Sequence, residues 1–326
     1  MVITSLFGCF TDEETILPLP PYTETIVQYR PENGQVFYSL KNRSVVKQNS
    51  AETWDFAFSC KADDYTILLN SSRGMGSYNT SSKDFNAPFK VMEYPWSYDH
   101  PAGSNTGSSI GVWGDFTFDN PQSFGNVYLI NLGVDLVGHN TGLVKMIINR
   151  FENNTYNVKI GDLDGKFEET YTIEKNDSFN FVYLDIVKNK VRNLEPPKND
   201  WDILFTSYVA HKTPYSSSLF YSVSNELELV DGIVLNPFSR EIAQDSISSI
   251  DDLDFLAVEA LTYTDSLNLI GSNWHRWNSD SKKFEIANQN TFVIRDFDKN
   301  YYVLRLDKFR KPWPTRNETT FTFKSL

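Results

Sequence analysis

Clustered positive charge is the first thing the sequence lacks. Lys and Arg number 30 against 42 Asp and Glu, a formal net charge of −12, and the basic residues are scattered. No basic face is available to neutralise phosphates, which excludes nucleic acid as a partner. Long apolar runs are missing too, none approaching the roughly 20 residues that cross a bilayer as a helix. Cysteine is reduced to Cys9 and Cys60, and methionine to four residues. A chain of 326 residues needs no disulfide staples to hold a core. Its length fits two domains of about 150 residues better than one. The motifs His-Glu-x-x-His, Cys-x-x-Cys, Gly-x-Gly-x-x-Gly and Walker A are absent, so catalysis has no visible home and the expectation is not an enzyme. Aromatics, by contrast, abound: 24 Phe, 17 Tyr and 7 Trp make 15% of the chain. Such side chains suit a pleated, half-buried surface, and alternating runs outnumber stretches of helical period. The expected fold is mainly β.

The first nine residues are largely apolar and end Leu6-Phe7-Gly8-Cys9. This resembles the lipobox of bacterial lipoproteins, whose cysteine is acylated before the leader is removed. Residues 1–9 are therefore expected to be a truncated signal peptide, with Cys9 lipidated and outer-membrane lipid its partner. Asp12-Glu13-Glu14 follows and resembles the surface-export signal of Bacteroidetes lipoproteins. Leu17-Pro18-Leu19-Pro20-Pro21 should hold an extended polyproline conformation. Residues 10–30 are expected to form an acidic, Pro-containing N-terminal stalk.

Self-similarity is the next signal. Val36-Phe37-Tyr38-Ser39-Leu40 corresponds to Val182–Ile186, and Trp54-Asp55 to Trp201-Asp202, at offsets of 146 and 147. Each block reads as strand, turn, strand, polar loop, then Trp-Asp opening another strand. Later, Val127–Ile130, Val144–Ile148 and Tyr156–Ile160 correspond more loosely to Phe292–Arg295, Tyr301–Leu306 and Thr320–Phe323. The expectation is two tandem antiparallel β domains, residues 31–178 and 179–326, divided near Asn176 to Asn180. Asp296–Asn300 reads as a hairpin loop, and Asp251 to Tyr263 as one short helix.

Trp-Asp before an apolar strand, Ile270-Gly271-x-x-Trp274, and the close Phe292-Val293-Ile294-Arg295, Tyr301-Tyr302-x-Leu304-Arg305-Leu306, Thr320-Phe321 resemble the HmuY-like family. These are outer-membrane lipoproteins of Bacteroidetes. The resemblance covers nearly all of Asn180 to Leu326. In the first copy it holds at Trp54-Asp55 and its strand, and Asn70 to Gly125 departs. It implies two tandem HmuY-like domains at the outer membrane, facing the cell exterior. The type members are haemophores that grip haem iron between two axial side chains, His or Met. Haem is thus the cofactor, and an outer-membrane transporter the partner, that the resemblance implies.

Within that frame His275 is the candidate iron ligand. Trp274 and Trp277 could shield a porphyrin face, Arg276 could pair with a propionate, and neutral imidazole binds iron at pH 7. The plainer reading is a packed histidine in a Trp-rich strand. His139, in Gly138–Gly142, and His211, beside Lys212, read as loop residues. In the aromatic loop Tyr94–His100, Trp96 and Tyr98 could stack on a sugar ring or porphyrin, or else plug the fold. Trp54 and Trp201 read as core anchors, each needing a buried acceptor for its indole N–H, with Asp55 and Asp202 tying neighbouring loops. Gly107-x-Ser109-x-Gly111 has the spacing of a nucleophile elbow, without the flanking strand and helix. Asp162–Gly165 and Asp251–Asp254 lack the terminal Glu of a calcium loop, and Asp164-Gly165 reads as a hairpin turn. Cys60 reads as a small core residue.

Three functions remain open. One is haem capture at the cell surface. Another is a non-haem binding or adhesion module for a glycan or an outer-membrane partner. The third is a structural accessory subunit. Fold alone does not choose among them.

Overall fold

The computed structural model describes residues 20–90, 92–101, 107–118, 120–214, 221–238, 240–287 and 290–326. Cys9, Asp12 to Glu14 and the stalk up to Leu19 lie outside these. The described residues first form β1 (Tyr22–Tyr29), the short helix α1 (Arg30–Asn33), β2 (Gln35–Ser39), β3 (Ser44–Asn49), β4 (Phe56–Ser59), β5 (Ile67–Leu69) and β6 (Gly76–Asn79). Next come β7 (Gly114–Asp115), β8 (Gln122–Ser123), β9 (Val127–Asn131), β10 (Leu143–Glu152), β11 (Thr155–Asp162) and β12 (Glu168–Glu174). The chain continues through β13 (Phe181–Asp185), β14 (Lys190–Arg192), β15 (Ile203–His211), β16 (Tyr221–Ser222), β17 (Leu227–Leu235), β18 (Glu241–Asp245) and α2 (Phe255–Glu259). It ends in β19 (His275–Asn278), β20 (Lys283–Ile286), β21 (Thr291–Arg295), β22 (Tyr301–Trp313) and β23 (Arg316–Ser325). The mainly β, antiparallel expectation holds, and the expected helix within Asp251 to Tyr263 is α2, capped by Asp254 accepting from the Ala257 N–H.

Alternation builds the strands. In β11, Tyr156, Val158 and Ile160 are buried at period two, and the β10–β11 turn uses Asn153 and Asn154, both at positive φ (51° and 62°), as a two-residue hairpin requires. Two five-stranded sheets run β12-β11-β10-β9-β6 and β1-β23-β22-β21-β18. A four-stranded sheet, β14-β13-β4-β5, and another five-stranded one, β16-β17-β15-β2-β3, complete the main layers.

Where each strand finds its partner differs from two domains in tandem. The hairpin β2–β3 pairs with β15, as in Tyr38 against Ile203. Reciprocally, β13 pairs with β4, as in Val182 against Phe58. The ends of the chain exchange as well, β1 lying against β23. The cores follow: Val182, Leu184 and Ile186 pack with Trp113, Tyr128 and Tyr156, while Val36, Tyr38 and Leu40 pack with Phe205, Phe292 and Phe321. The division expected near 178/179 is crossed in both directions. The expected stalk also needs correction, because its residues Tyr22–Tyr29 are the edge strand β1. Ile26 and Gln28 turn inward, and Thr23 and Thr25 meet Thr322 and Thr320, hydroxyl to hydroxyl, at 2.7 and 2.9 Å.

The Trp-Asp pairs are the knots of this exchange. Asp55 accepts the Ile186 N–H at 2.8 Å and faces Arg73 at 2.7 Å. Asp202 accepts the Leu40 N–H at 2.7 Å and faces Arg240 at 2.9 Å. Asn70 Nδ2 donates to the carbonyls of Ala51 and Trp54, and Asn236 Nδ2 to those of Lys198 and Trp201. Gly133 sits so close to Arg73 that a Cβ there would lie 2.1 Å from the Arg73 carbonyl oxygen. Among the described residues, no helix is long and apolar enough to cross a membrane.

Candidate functional site

The hairpin β19–β20 turns at Lys282, at positive φ (55°), and folds against β22. Alternation along His275–Asn278 sends His275 and Trp277 to one face and Arg276 and Asn278 to the other. Between this hairpin and the end of β15 lies a cleft of about 470 Å³, lined by His211, Glu228, Arg276, Trp277 and Phe284 among others. Trp277 and Phe284 meet edge to face at 5.1 Å, both half-buried. Arg276 lies 3.9 Å from Glu285. His211 ends β15 with its side chain exposed.

His275 reaches the wall of the cleft, but its ring is spent on packing. The imidazole stacks on Phe309 at 3.9 Å and 2°, with Trp274 edge-on at 4.6 Å and Phe284 at 5.4 Å. Its Nε2 lies 3.3 Å from the Asp231 carbonyl oxygen, which makes Nε2 the protonated nitrogen. Burial pushes its pKa down to about 4, so the ring is neutral. A ring covered on one face and committed at Nε2 is poorly placed to hold haem iron. Trp274 is a core residue whose indole N–H donates to the Gly271 carbonyl at 3.2 Å. The cleft thus gathers Arg276, Trp277 and one edge of His275, and turns Trp274 away from the ligand position.

His211, Glu228 and Phe284 are among the cleft residues that the sequence does not point to. The signal for His211 is its place at the end of Ile203–His211, a nine-residue run rich in β-branched and aromatic side chains, which argues against a loop.

The aromatic loop sits elsewhere. Ser97 exchanges backbone hydrogen bonds with Ser77 at 2.9 and 2.8 Å, extending the edge of β6. Tyr98 lies across Gly76, where a Cβ would approach its ring to 3.0 Å. Asp99 is buried, accepts the Leu69 and Ser109 N–H groups at 2.6 and 2.7 Å, and has its pKa pushed up by burial to about 6. The loop is therefore pinned, and Tyr78, Tyr94 and Trp96 form a half-exposed aromatic row, with centroids 5.0 and 5.6 Å apart.

Trp54 is buried and its indole N–H donates to Gln35 Oε1 at 3.1 Å. Trp201 is buried against Phe37 at 4.9 Å, but its N–H has no acceptor, which departs from expectation. Gly107–Gly111 is a loop followed by β7, so Ser109 has no elbow. Asp162 Oδ1 accepts the Lys166 N–H and Gly165 has positive φ, a hairpin turn as expected. Cys60 is buried and free, its thiol pushed up to about 11 by burial. Among the described residues, no group of three or more His, Cys, Asp or Glu could hold a metal ion.

No family model matches the chain, and no curated protein matches it. Solved structures similar to it include the following two. The crystal structure of apo PinO from Porphyromonas gingivitis is 8% identical, covers 94% of this chain and 97% of that one, and superposes with a TM-score of 0.28. A protein from Bacteroides vulgatus ATCC 8482, assigned by likeness as an HmuY_like heme binding protein, is 13% identical. It covers 44% of this chain and 82% of its own, with a TM-score of 0.17. Both superpositions are too loose to carry an argument about function.

Proposed function

We propose that this chain is a surface-displayed binding protein rather than an enzyme, and that it takes a flat ring system bearing an anionic group. The carrying observation is the cleft beside β19–β20, where Trp277, Phe284, Arg276 and His211 line one space of about 470 Å³. That size falls in the range of about 300–1,000 Å³ common for small-molecule sites. Aromatic faces stack on flat ligands, and a guanidinium matches carboxylates through its planar fork.

Haem is the member of this ligand class that the sequence resemblance implies. In that reading Trp277 and Phe284 would face the macrocycle, Arg276 would meet a propionate, and His211 rather than His275 would offer nitrogen to iron. Bound haem would supply a coordinated iron and an intense visible absorption. Acylated Cys9 would hold the protein at the outer membrane, facing outward, where it could pass its ligand to a transporter. A second reading, glycan docking, is favoured by the aromatic row Tyr78, Tyr94 and Trp96, because half-exposed rings in line offer stacking platforms for sugars.

Equilibrium quenching of tryptophan fluorescence by haemin and by metal-free protoporphyrin tests the first reading. Both should quench in a saturable way, and Arg276→Ala should weaken both by about tenfold. Absence of saturable quenching by either compound overturns the cleft, as does identical binding by the Arg276→Ala and Trp277→Ala variants.

A further inference from the structure

The two halves of the chain carry the same turn. In residues 135–139 the Asp135 N–H donates to the His139 carbonyl at 3.0 Å and the Gly138 N–H to the Asp135 carbonyl at 3.1 Å. Asp135 Oδ1 also accepts the His139 N–H at 2.8 Å. Residues 296–300 repeat all three bonds, Asp296 to Asn300 at 3.0 Å, Lys299 to Asp296 at 3.0 Å and Asn300 to Asp296 Oδ1 at 2.9 Å. Gly138 and Lys299 both hold positive φ, 89° and 64°. Leu136 and Phe297 are therefore equivalent positions, and the offset of 147 that relates Trp54 to Trp201 also relates Glu52 to Asn199.

The copies differ in what crosses the space beside the turn. In the first half Glu52 reaches over, its Oε1 accepting the Leu136 N–H at 3.1 Å. In the second half the shorter Asn199 makes no such bond, and a cavity of about 450 Å³ lies between it, the β2–β3 turn and Phe297. Phe297 is 62% exposed, and Phe238 backs it, stacked at 5.7 Å and 26°. The pinned turn and the Phe238 ring hold this phenylalanine at the cavity wall. Among the described residues, no hydrogen bond engages the side chains of Asn42, Asn199 or Asp200, which line the same space.

The charges that line the cavity are largely spent on one another. Asp202 pairs with Arg240 at 2.9 Å in the floor, and Lys41 meets Asp298 at 3.5 Å at the rim. Asp296 accepts from Asn300 Nδ2 at 2.9 Å and from the Tyr302 hydroxyl at 3.4 Å. Asp200 is the lining carboxylate left over, which disfavours an anion, and one exposed carboxylate holds a cation weakly. Among the described residues, no group of three or more His, Cys, Asp or Glu could hold a metal ion. We propose that this open copy binds an uncharged sugar ring. The apolar face of the sugar lies on Phe297, and Asn42, Asn199 and Asp200 exchange hydrogen bonds with its hydroxyls. The volume suits a small molecule. The site is separate from the cleft beside β19–β20 and from the row Tyr78, Tyr94 and Trp96, so it stands or falls without either.

Saturation-transfer NMR on the full chain with glucose, galactose, mannose and N-acetylglucosamine tests the site, with sodium acetate and tetramethylammonium chloride as charged controls. At least one sugar should bind saturably, and Phe297→Ala should weaken that binding by about tenfold or more. Asn199→Glu offers the Phe297 N–H the bond that Glu52 gives Leu136, so it should close the space and weaken binding as much. It decides the matter if Phe297→Ala fails to fold. Trp96→Ala should leave binding unchanged. Saturable sugar binding weakened in either folded variant, and kept in Trp96→Ala, supports the site. No saturable transfer from any of the four sugars, a stronger response to a charged control, or equal binding in wild type and both variants overturns it. Loss in Trp96→Ala assigns the sugar to the aromatic row and overturns it too.

Discussion

The carboxylate of Asp202 accepts the backbone N–H of Leu40, 162 residues earlier in the chain, at 2.7 Å. Asp55 does the same for Ile186 at 2.8 Å. Each aspartate opens a strand of one half and fastens the hairpin contributed by the other. Asp202→Ala would leave the buried Arg240 guanidinium uncompensated and the Leu40 N–H unpaired. Breaking such a pair on one side costs roughly 3–5 kcal/mol. Urea unfolding should register that loss, with the same order of loss for Asp55→Ala. A cost under about 1 kcal/mol, the range of exposed ion pairs, would show the tie to be idle.

The exchange of strands makes a claim about the halves. A fragment from residue 180 to 326 lacks β1, β2 and β4, the partners of β23, β15 and β13. Alone it should show no cooperative melt, and mixing it with a fragment of residues 20–175 should restore one. A cooperative transition of similar midpoint in the isolated fragment would contradict the interlocked cores.

The two tryptophans should answer differently to loss of the indole N–H. Trp54→Phe abandons a hydrogen bond to Gln35 and leaves that amide oxygen buried, whereas Trp201 has no acceptor to lose. Beyond the packing change common to both, Trp54→Phe should cost about 1 kcal/mol more. Equal losses on denaturant titration would mean that the Gln35 bond contributes nothing.

Glu195 gives the stability a pH dependence. Its carboxylate is buried, accepts the Phe181 N–H at 2.6 Å, and has its pKa pushed from 4.5 up to about 8, chiefly by desolvation. A folded-state pKa above the unfolded one stabilises fully below pH 4.5, and that contribution is lost as pH rises through about 8. At about 1.4 kcal/mol per pKa unit, the loss reaches up to roughly 4 kcal/mol. Glu195→Gln keeps an oxygen for Phe181 and removes the titration, so its stability should fall less than that of wild type between pH 5 and pH 8. His275 acts with the opposite sign. Its pKa is lowered from 6.5 to about 4, so its contribution is present above 6.5 and lost as pH falls through 4. Parallel stability curves for wild type and Glu195→Gln would remove Glu195 as the cause.

Much of this fold is legible in the sequence, and the illegible part has a physical reason. Val36–Leu40 and Val182–Ile186 announce themselves as equivalent strands by their matched apolar residues at a constant offset. Alternation does not say which strand lies alongside, so the pairing of Tyr38 with Ile203 and of Val182 with Phe58 was hidden. The Asp–Arg ties were hidden by spacing, since Asn70-x-x-Arg73 and Asn236-x-x-x-Arg240 differ by one residue. At the cleft, Arg276 and Trp277 stand beside His275 in the sequence, which leaves His275 open between an iron ligand and a packed histidine. A histidine among tryptophans looks the same in sequence whether it faces a ligand or stacks on Phe309, 34 residues later. β1 reads as stalk in the sequence because Pro20-Pro21 precedes it and its partner β23 is at the far end of the chain.

The central claim is that a flat, anionic ligand enters the cleft beside β19–β20 and meets His211, not His275. Haemin titration followed in the Soret region tests it most directly, on wild type, His211→Ala, His275→Gln and Trp277→Ala. The account predicts a saturable shift in wild type and His275→Gln, loss of the shift in His211→Ala, and weakening by about tenfold in Trp277→Ala. No saturable shift in wild type, or one that survives His211→Ala and Trp277→Ala unchanged, would contradict it.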